Sequence, residues 1–184
     1  NGAHVTMVQR SPTLIVNVEP GAQLYDGIYY GKGPTLEDRD LINVSVPLRV
    51  MKKAHRLLTD QARAHDAPLL EALERVGFRL EFGEDGTGWP LKYRGRGGGY
   101  YFNVGASDLV AKGEIGLIQH ADIDSFTATG LLMRDGTRRP AALVVLATGY
   151  KGQDHLVEQL FGPEIARKVG PVWGFDDRTQ ELRN

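Results

Sequence analysis

The sequence contains no cysteine, which removes disulfides, thiolate metal sites, a cysteine nucleophile and a redox CxxC pair from its chemistry. Redox work would have to come from a bound cofactor. Long apolar runs are missing too. The longest, Ala141 to Ala147, falls far short of the ~20 residues a membrane helix needs, and no signal-peptide pattern heads the chain, so a cytoplasmic protein with no membrane span is expected. Charge of one sign is also lacking. The 22 Lys and Arg against 23 Asp and Glu leave a formal net charge of -1, which gives no general field to gather nucleic acid or an anionic membrane. Any anion must be held locally. No GxGxxG fingerprint occurs. Its nearest imitation, Arg94-Gly95-Arg96-Gly97-Gly98-Gly99, does not follow a strand and fails the context that gives the motif its meaning. The five histidines, His4, His55, His65, His120 and His155, form no zinc-like spacing with a carboxylate.

What remains is a globular composition, 41% hydrophobic over 184 residues, enough for one domain with a real core. The run His4 to Gln9 reads as a strand entering a loop at Arg10-Ser11-Pro12, and Leu14 to Val18 as a second extended piece. Helical spacing follows over about 36–76, with Asp66 and Pro68 marking the start of a second helix and Gly77 capping it. Phe78 to Phe82 alternates as a strand does, Arg94 to Gly99 is expected to be a loop, and Ser107 to Lys112 a short helix. Three β-like runs, Glu114 to Gln119, Asp122 to Thr129 and Leu131 to Arg134, predict a β-meander over about 114–135. Ala141 to Ala147 is apolar on both alternating faces, as a strand covered on both sides of a parallel sheet must be. It ends in Thr148-Gly149-Tyr150, and short helices are expected around Leu156, Leu160 and Ile165. The fold class is α/β with an α-helical insertion.

Two strand ends carry the candidate chemistry. In a dinucleotide-binding fold the second strand ends beside the adenosine ribose, where Asp or Glu takes a free 2'-hydroxyl and Arg takes a 2'-phosphate. Here that end is Gln9-Arg10-Ser11, a guanidinium fork and a hydroxyl with no carboxylate. Read alone, Arg10 is more simply a solvated cation at a strand end, and it is the company of the second strand end that shifts the balance. At the second end, Thr148-Gly149 lies where open α/β sheets bind ligands, and glycine there admits close approach of main chain.

The pieces HVTMVQRSPT, GGGYYFNVGASDLVAKGEIGL and VVLATGYKGQ, in this order, resemble the flavin-containing monooxygenase family, flavoproteins with two dinucleotide-binding domains. The resemblance runs over nearly the whole chain. It implies a partial Rossmann-like NADPH-binding domain over 1–150 and a segment over 151–184 leading back to an FAD domain. By the same resemblance, Arg10 and Ser11 hold the NADPH 2'-phosphate with Gln9 alongside. Ala147, Thr148, Gly149 and Tyr150 match the strand-end motif near the nicotinamide cofactor. The implied activity is that of an oxidoreductase and monooxygenase. It reduces FAD with NADPH, activates O2 and oxygenates a small organic substrate, the cofactors doing the hard chemistry. The family carries two glycine fingerprints, and both would lie before Asn1. The chain is therefore expected to be a fragment, inactive alone because the pyrophosphate cradle is missing.

Two other classes compete with this reading. A non-catalytic nucleotide-binding or assembly module accounts for a chain without fingerprints. A pyridine nucleotide–disulfide reductase relative shares the domain plan but normally needs a reactive cysteine pair. Arg94, Arg96 and their glycines could grip a phosphate but read equally as a surface loop, and Tyr100, Tyr101 and Phe102 could line a pocket or pack in the core. Lys52, Lys53 and His55 read as a solvated helix face, and Asp26, Asp38 and Asp40 as loop and cap residues.

Overall fold

The computed structural model describes residues 2–22, 26–176, 178–181 and 183. Asn1 and Asn184, the outer limits of the two expected domains, lie outside the described residues.

Two parallel strand pairs organise the fold. β1 (Thr6–Gln9) pairs with β4 (Gly116–Gln119), Thr6 opposite Gly116 and Gln9 opposite Gln119. β2 (Leu14–Asn17) pairs with β3 (Tyr100–Asn103), ending with Asn17 opposite Asn103. Parallel partners cannot be joined by a hairpin, so each pair needs a crossover. Between β2 and β3 that crossover is helical: α1 (Val18–Ala22), α2 (Asp26–Tyr29), α3 (Leu36–Ser45), α4 (Leu48–Arg75) and α5 (Gly88–Arg96). α6 (Ala106–Ala111) then leads from β3 towards β4.

Local chemistry sets the helix limits. Thr35 caps α3, its hydroxyl accepting from Asp38 N at 3.2 Å, with Glu37 and Asp38 in the first turn where the helix dipole favours acids. The buried residues of α4, Met51, His55, Asp66, Leu70 and Leu73, recur at helical intervals and define its inner face. Its end is a Schellman motif. Gly77, at φ +84°, donates to Glu74 O (2.9 Å), and Phe78 N reaches back to Leu73 O (3.0 Å). That turn drops Phe78 into the core beside Ile15, Leu73 and Val110. All three of Leu14, Ile15 and Val16 are buried, so β2 is the strand covered on both faces.

The second apolar cluster, Ile123, Leu131 and Met133, belongs to an antiparallel sheet of β5 (Ile123–Thr127), β6 (Gly130–Met133) and β7 (Arg138–Pro140). Gly130 is required in this sheet: at φ +146° a Cβ would run into the Arg139 carbonyl of the neighbouring strand. Downstream, α7 (Gln153–Phe161) and α8 (Pro163–Val169) pack against each other.

The structure is thus mixed helix and strand, with sheets of two, two and three strands among the described residues, and it corrects several expectations. Asp66 and Pro68 do not start a helix. α4 runs unbroken through both, and Asp66 is buried. Arg94, Gly95 and Arg96 lie in α5, whose left-handed cap Gly97 donates to Tyr93 O (2.8 Å), so only Gly97 to Gly99 form the loop. Phe78 to Phe82 makes a single bridge, Leu80 with Thr13, in which Thr13 N donates to Arg79 O (3.0 Å) and Glu81 N to Thr13 O (3.4 Å), while Arg79 N is held by the Gln9 side chain instead of a strand. The run Glu114 to Gln119 supplies β4, outside the meander, and β7 takes the third place there.

The largest correction concerns Ala141 to Ala147. No strand forms there, and Leu143, Val145 and Leu146 are each more than 70% exposed. The run has the composition of a buried strand, but no strand among the described residues lies beside it to receive its hydrogen bonds. Composition alone cannot bury a strand. No helix among the described residues is long and apolar enough to cross a membrane.

Candidate functional site

The two parallel pairs end in different chemistry. At the carboxyl end of β2 and β3 every polar group is committed to protein. Asp66 accepts from Asn17 N (2.9 Å) and Asn17 Nδ2 (2.8 Å) and bonds His65 Nδ1 (2.9 Å). Asn103 donates to Asn17 Oδ1 and Asp108 Oδ2, both at 2.9 Å, and its own oxygen accepts from Gly105 N and Ser107 N. Beside it, the Tyr101 hydroxyl and Ser107 Oγ lie 2.8 Å apart. Burial pushes the Tyr101 phenol up, and the Ser107 contact opposes that push only in part. This network ties α4 and α6 to the sheet.

The carboxyl end of β1 and β4 is open instead. Gln9 is buried, and its amide is fully used. Nε2 donates to Arg79 O (2.8 Å), and Oε1 accepts from Arg79 N (2.9 Å) and Gln119 Nε2 (3.1 Å). Gln119 also donates to Gly77 O (2.9 Å), tying the end of α4 to the same spot. Gln9 is therefore a fastening within the protein. The next residue, Arg10, is exposed, and its guanidinium has no ion pair or hydrogen bond among the described residues. Its carbonyl accepts from Arg79 Nη2 at 2.7 Å, which brings a second exposed guanidinium to this end. Ser11 is exposed as well, its carbonyl accepting from Thr13 Oγ1 (3.2 Å).

Just past β4, Arg134 Nε donates to Ala121 O (2.7 Å) and Arg134 N to Asp122 O (2.8 Å), anchoring a third exposed arginine to the loop that leaves the strand. Arg10 and Arg79 thus stand together at this sheet end, and Arg134 is anchored to the turn that follows β4. Guanidinium groups gathered at such an end suit phosphate or carboxylate oxygens, which they bind by paired N–H donors. Only Arg10 stood out in the sequence. Arg79 lay hidden in the alternating Phe78 to Phe82 run, and Arg134 at the end of a predicted strand.

Ala147, Thr148, Gly149 and Tyr150 take no part in this site. All four are exposed, Gly149 sits at φ +82°, and among the described residues no strand pairing or hydrogen bond joins them to the Arg10 end. The expected meeting of the two strand ends is absent because the strand that would carry Thr148 does not form. Nor does the glycine loop offer a phosphate cradle. A Cβ at Gly97 would meet Trp173 at 3.1 Å and one at Gly99 would meet Lys92 at 3.0 Å, so two of its three glycines face side chains. Tyr100 and Phe102 pack on Trp89, with ring centroids 5.5 and 5.0 Å away, as core aromatics do. No group of acids and histidines able to hold a metal occurs among the described residues.

Compared with known protein families and with curated proteins, the chain matches none.

Proposed function

We propose that this chain supplies the NADPH-binding face of an FAD- and NADPH-dependent oxidoreductase of the flavin monooxygenase type. One observation carries the reading. Arg10 and Ser11 leave β1 exposed at the carboxyl end of a parallel strand pair, without an acid in the position that would take a ribose hydroxyl. Arg79 adds positive charge at the same end. The proposal includes a partial Rossmann-like arrangement for the parallel pairs and their helical crossovers.

In this reading Arg10 grips two oxygens of the 2'-phosphate through its fork, Ser11 donates a hydroxyl hydrogen bond, and Gln9 holds the strand end still beneath them. For FAD the described residues offer no cradle, so its contacts are assigned to none of them. The chemistry the bound cofactors supply is hydride transfer from NADPH to FAD and activation of O2 to oxygenate a small organic substrate.

Calorimetric titration with NADP+ and NAD+ tests the assignment. Arg10→Ala should weaken NADP+ by about 1.5–3 kcal/mol, the size of a lost hydrogen bond to a charged group, and leave NAD+ unchanged. Measured in the complete enzyme, equal losses for both nucleotides would sink the 2'-phosphate role, and a complete enzyme that binds neither would sink the nucleotide reading itself.

A further inference from the structure

From Leu41 to Thr59 the chain has no acid, although acids and bases are balanced overall. The same stretch holds Arg49, Lys52, Lys53 and Arg56, all on the first half of α4. We propose that this half of α4 is a peripheral membrane-binding face that docks on a bilayer rich in anionic phospholipid. It shares no residue with the Arg10 end of β1 and β4, so the inference does not rest on the nucleotide reading.

Helical spacing sorts the outer surface of α4 into two neighbouring stripes. With Met51 and His55 buried on the inner face, Val50, Ala54 and Leu57 form one exposed line at i, i+4 and i+7, Val50 being 55% and Leu57 67% exposed. Arg49, Lys53 and Arg56 repeat that spacing one residue earlier, an exposed cationic line beside the apolar one. Such a surface suits a bilayer interface, its apolar side chains meeting the acyl boundary and its cations the headgroups. Just upstream, Leu41 and Val44 share a face of α3 and are 65% and 73% exposed, so the apolar character continues before the helix begins.

The cations are little neutralised by the protein itself. Asp85 lies 3.8 Å from Lys52 Nζ and 3.5 Å from Arg56 Nη2, and its carbonyl accepts from Arg56 Nε (2.9 Å). Arg49 and Lys53 have no ion pair or hydrogen bond among the described residues. A groove of about 320 Å³ lies among Arg49, Val50, Lys52, Lys53 and Arg56. Its walls offer guanidinium and ammonium donors, which suit phosphate oxygens. A groove of that size admits a phospholipid headgroup, whereas an acidic partner helix, ~10 Å across, needs a longer trough. Charge and shape together therefore favour a lipid surface over an acidic protein.

Co-sedimentation of the complete protein with lipid vesicles is the test. Phosphatidylcholine vesicles containing a quarter phosphatidylserine should pellet it at low salt, and pure phosphatidylcholine vesicles should not. Raised salt should release it, because the cations are exposed. Arg49→Gln/Lys53→Gln should weaken partitioning about tenfold or more, and Val50→Ser/Leu57→Ser roughly threefold or more. Arg167→Gln/Lys168→Gln, an equal loss of charge on α8, should leave it unchanged. No binding to the anionic vesicles, equal binding to the neutral ones, full affinity in both α4 variants, or an equal loss in the α8 variant would each overturn the proposal. Release at constant ionic strength by glycerol phosphate, the mark of a small-anion site, or by polyglutamate, the mark of an acidic protein partner, would overturn it too. All the substituted residues are exposed; where a variant does not fold, the lipid and salt comparisons in the parent protein decide.

Discussion

Gln9 and Arg79 exchange a complete amide pair across 70 positions of sequence, the side chain of one closing on the main chain of the other at 2.8 and 2.9 Å. The glutamine does for the 78–82 segment what a neighbouring strand would do, supplying one donor and one acceptor at the right spacing. The segment can then lie against β1 without a ladder.

Gln9→Ala should therefore act on stability and not on ligand choice. It strips a partner from Arg79 N, Arg79 O and Gln119 Nε2 in a buried setting, a loss of about 1–3 kcal/mol. Urea unfolding reads the loss. A wild-type midpoint would show that water replaces the amide at no cost, and a selective loss of NADP+ affinity would return Gln9 to the cofactor.

Pro68 sits in the interior of α4 with no N–H to give the preceding turn. Its side chain faces solvent, so alanine there costs little packing. Pro68→Ala is expected to raise stability by about 1–3 kcal/mol, up to the full helix-interior penalty of proline. Chemical denaturation checks this, and an unchanged or lowered midpoint would mean that α4 needs the bend its proline imposes.

His55 predicts a pH dependence whose sign follows from its lowered folded-state pKa. Unfolded, the ring titrates near ~6.5; folded, it titrates lower. Between the two values the unfolded chain binds more protons, so acid favours unfolding. The stability conferred by the neutral buried ring is whole above the unfolded value and is lost as pH falls through the folded one. Unfolding midpoints from pH 8 to pH 5 should fall more steeply in the parent protein than in His55→Phe. Parallel curves would place the acid sensitivity elsewhere.

Local signals in the sequence were sound where local interactions decide the structure. Gly77 ends α4 because a left-handed residue is needed there, and the spacing of Leu69, Leu70 and Leu73 marked the helix. The strand ending at Arg10 was legible from β-prone residues followed by Ser-Pro. Long-range partners were not. Nothing near Pro68 tells that tertiary contacts through Asp66 and Leu70 hold the helix across it, and nothing near Gln9 announces Arg79. The apolar run at Ala141 failed for the converse reason, since a strand exists only if another strand receives it. At the candidate site the sequence showed one of two arginines; Arg79 comes into place through the 78–82 segment.

That exposed run also bears on how the protein behaves in concentrated solution. Ala141 to Ala147 has no charge, no proline and three residues above 70% exposure, the make-up of segments that stack into self-complementary sheets. The easiest way for Leu143, Val145 and Leu146 to leave water at high concentration is against the same residues of another molecule. Arg138 and Arg139 on one side and Lys151 on the other are the flanking charges that repel such stacking. Solubility should accordingly depend on ionic strength: salt that screens these three cations removes the guard from the run.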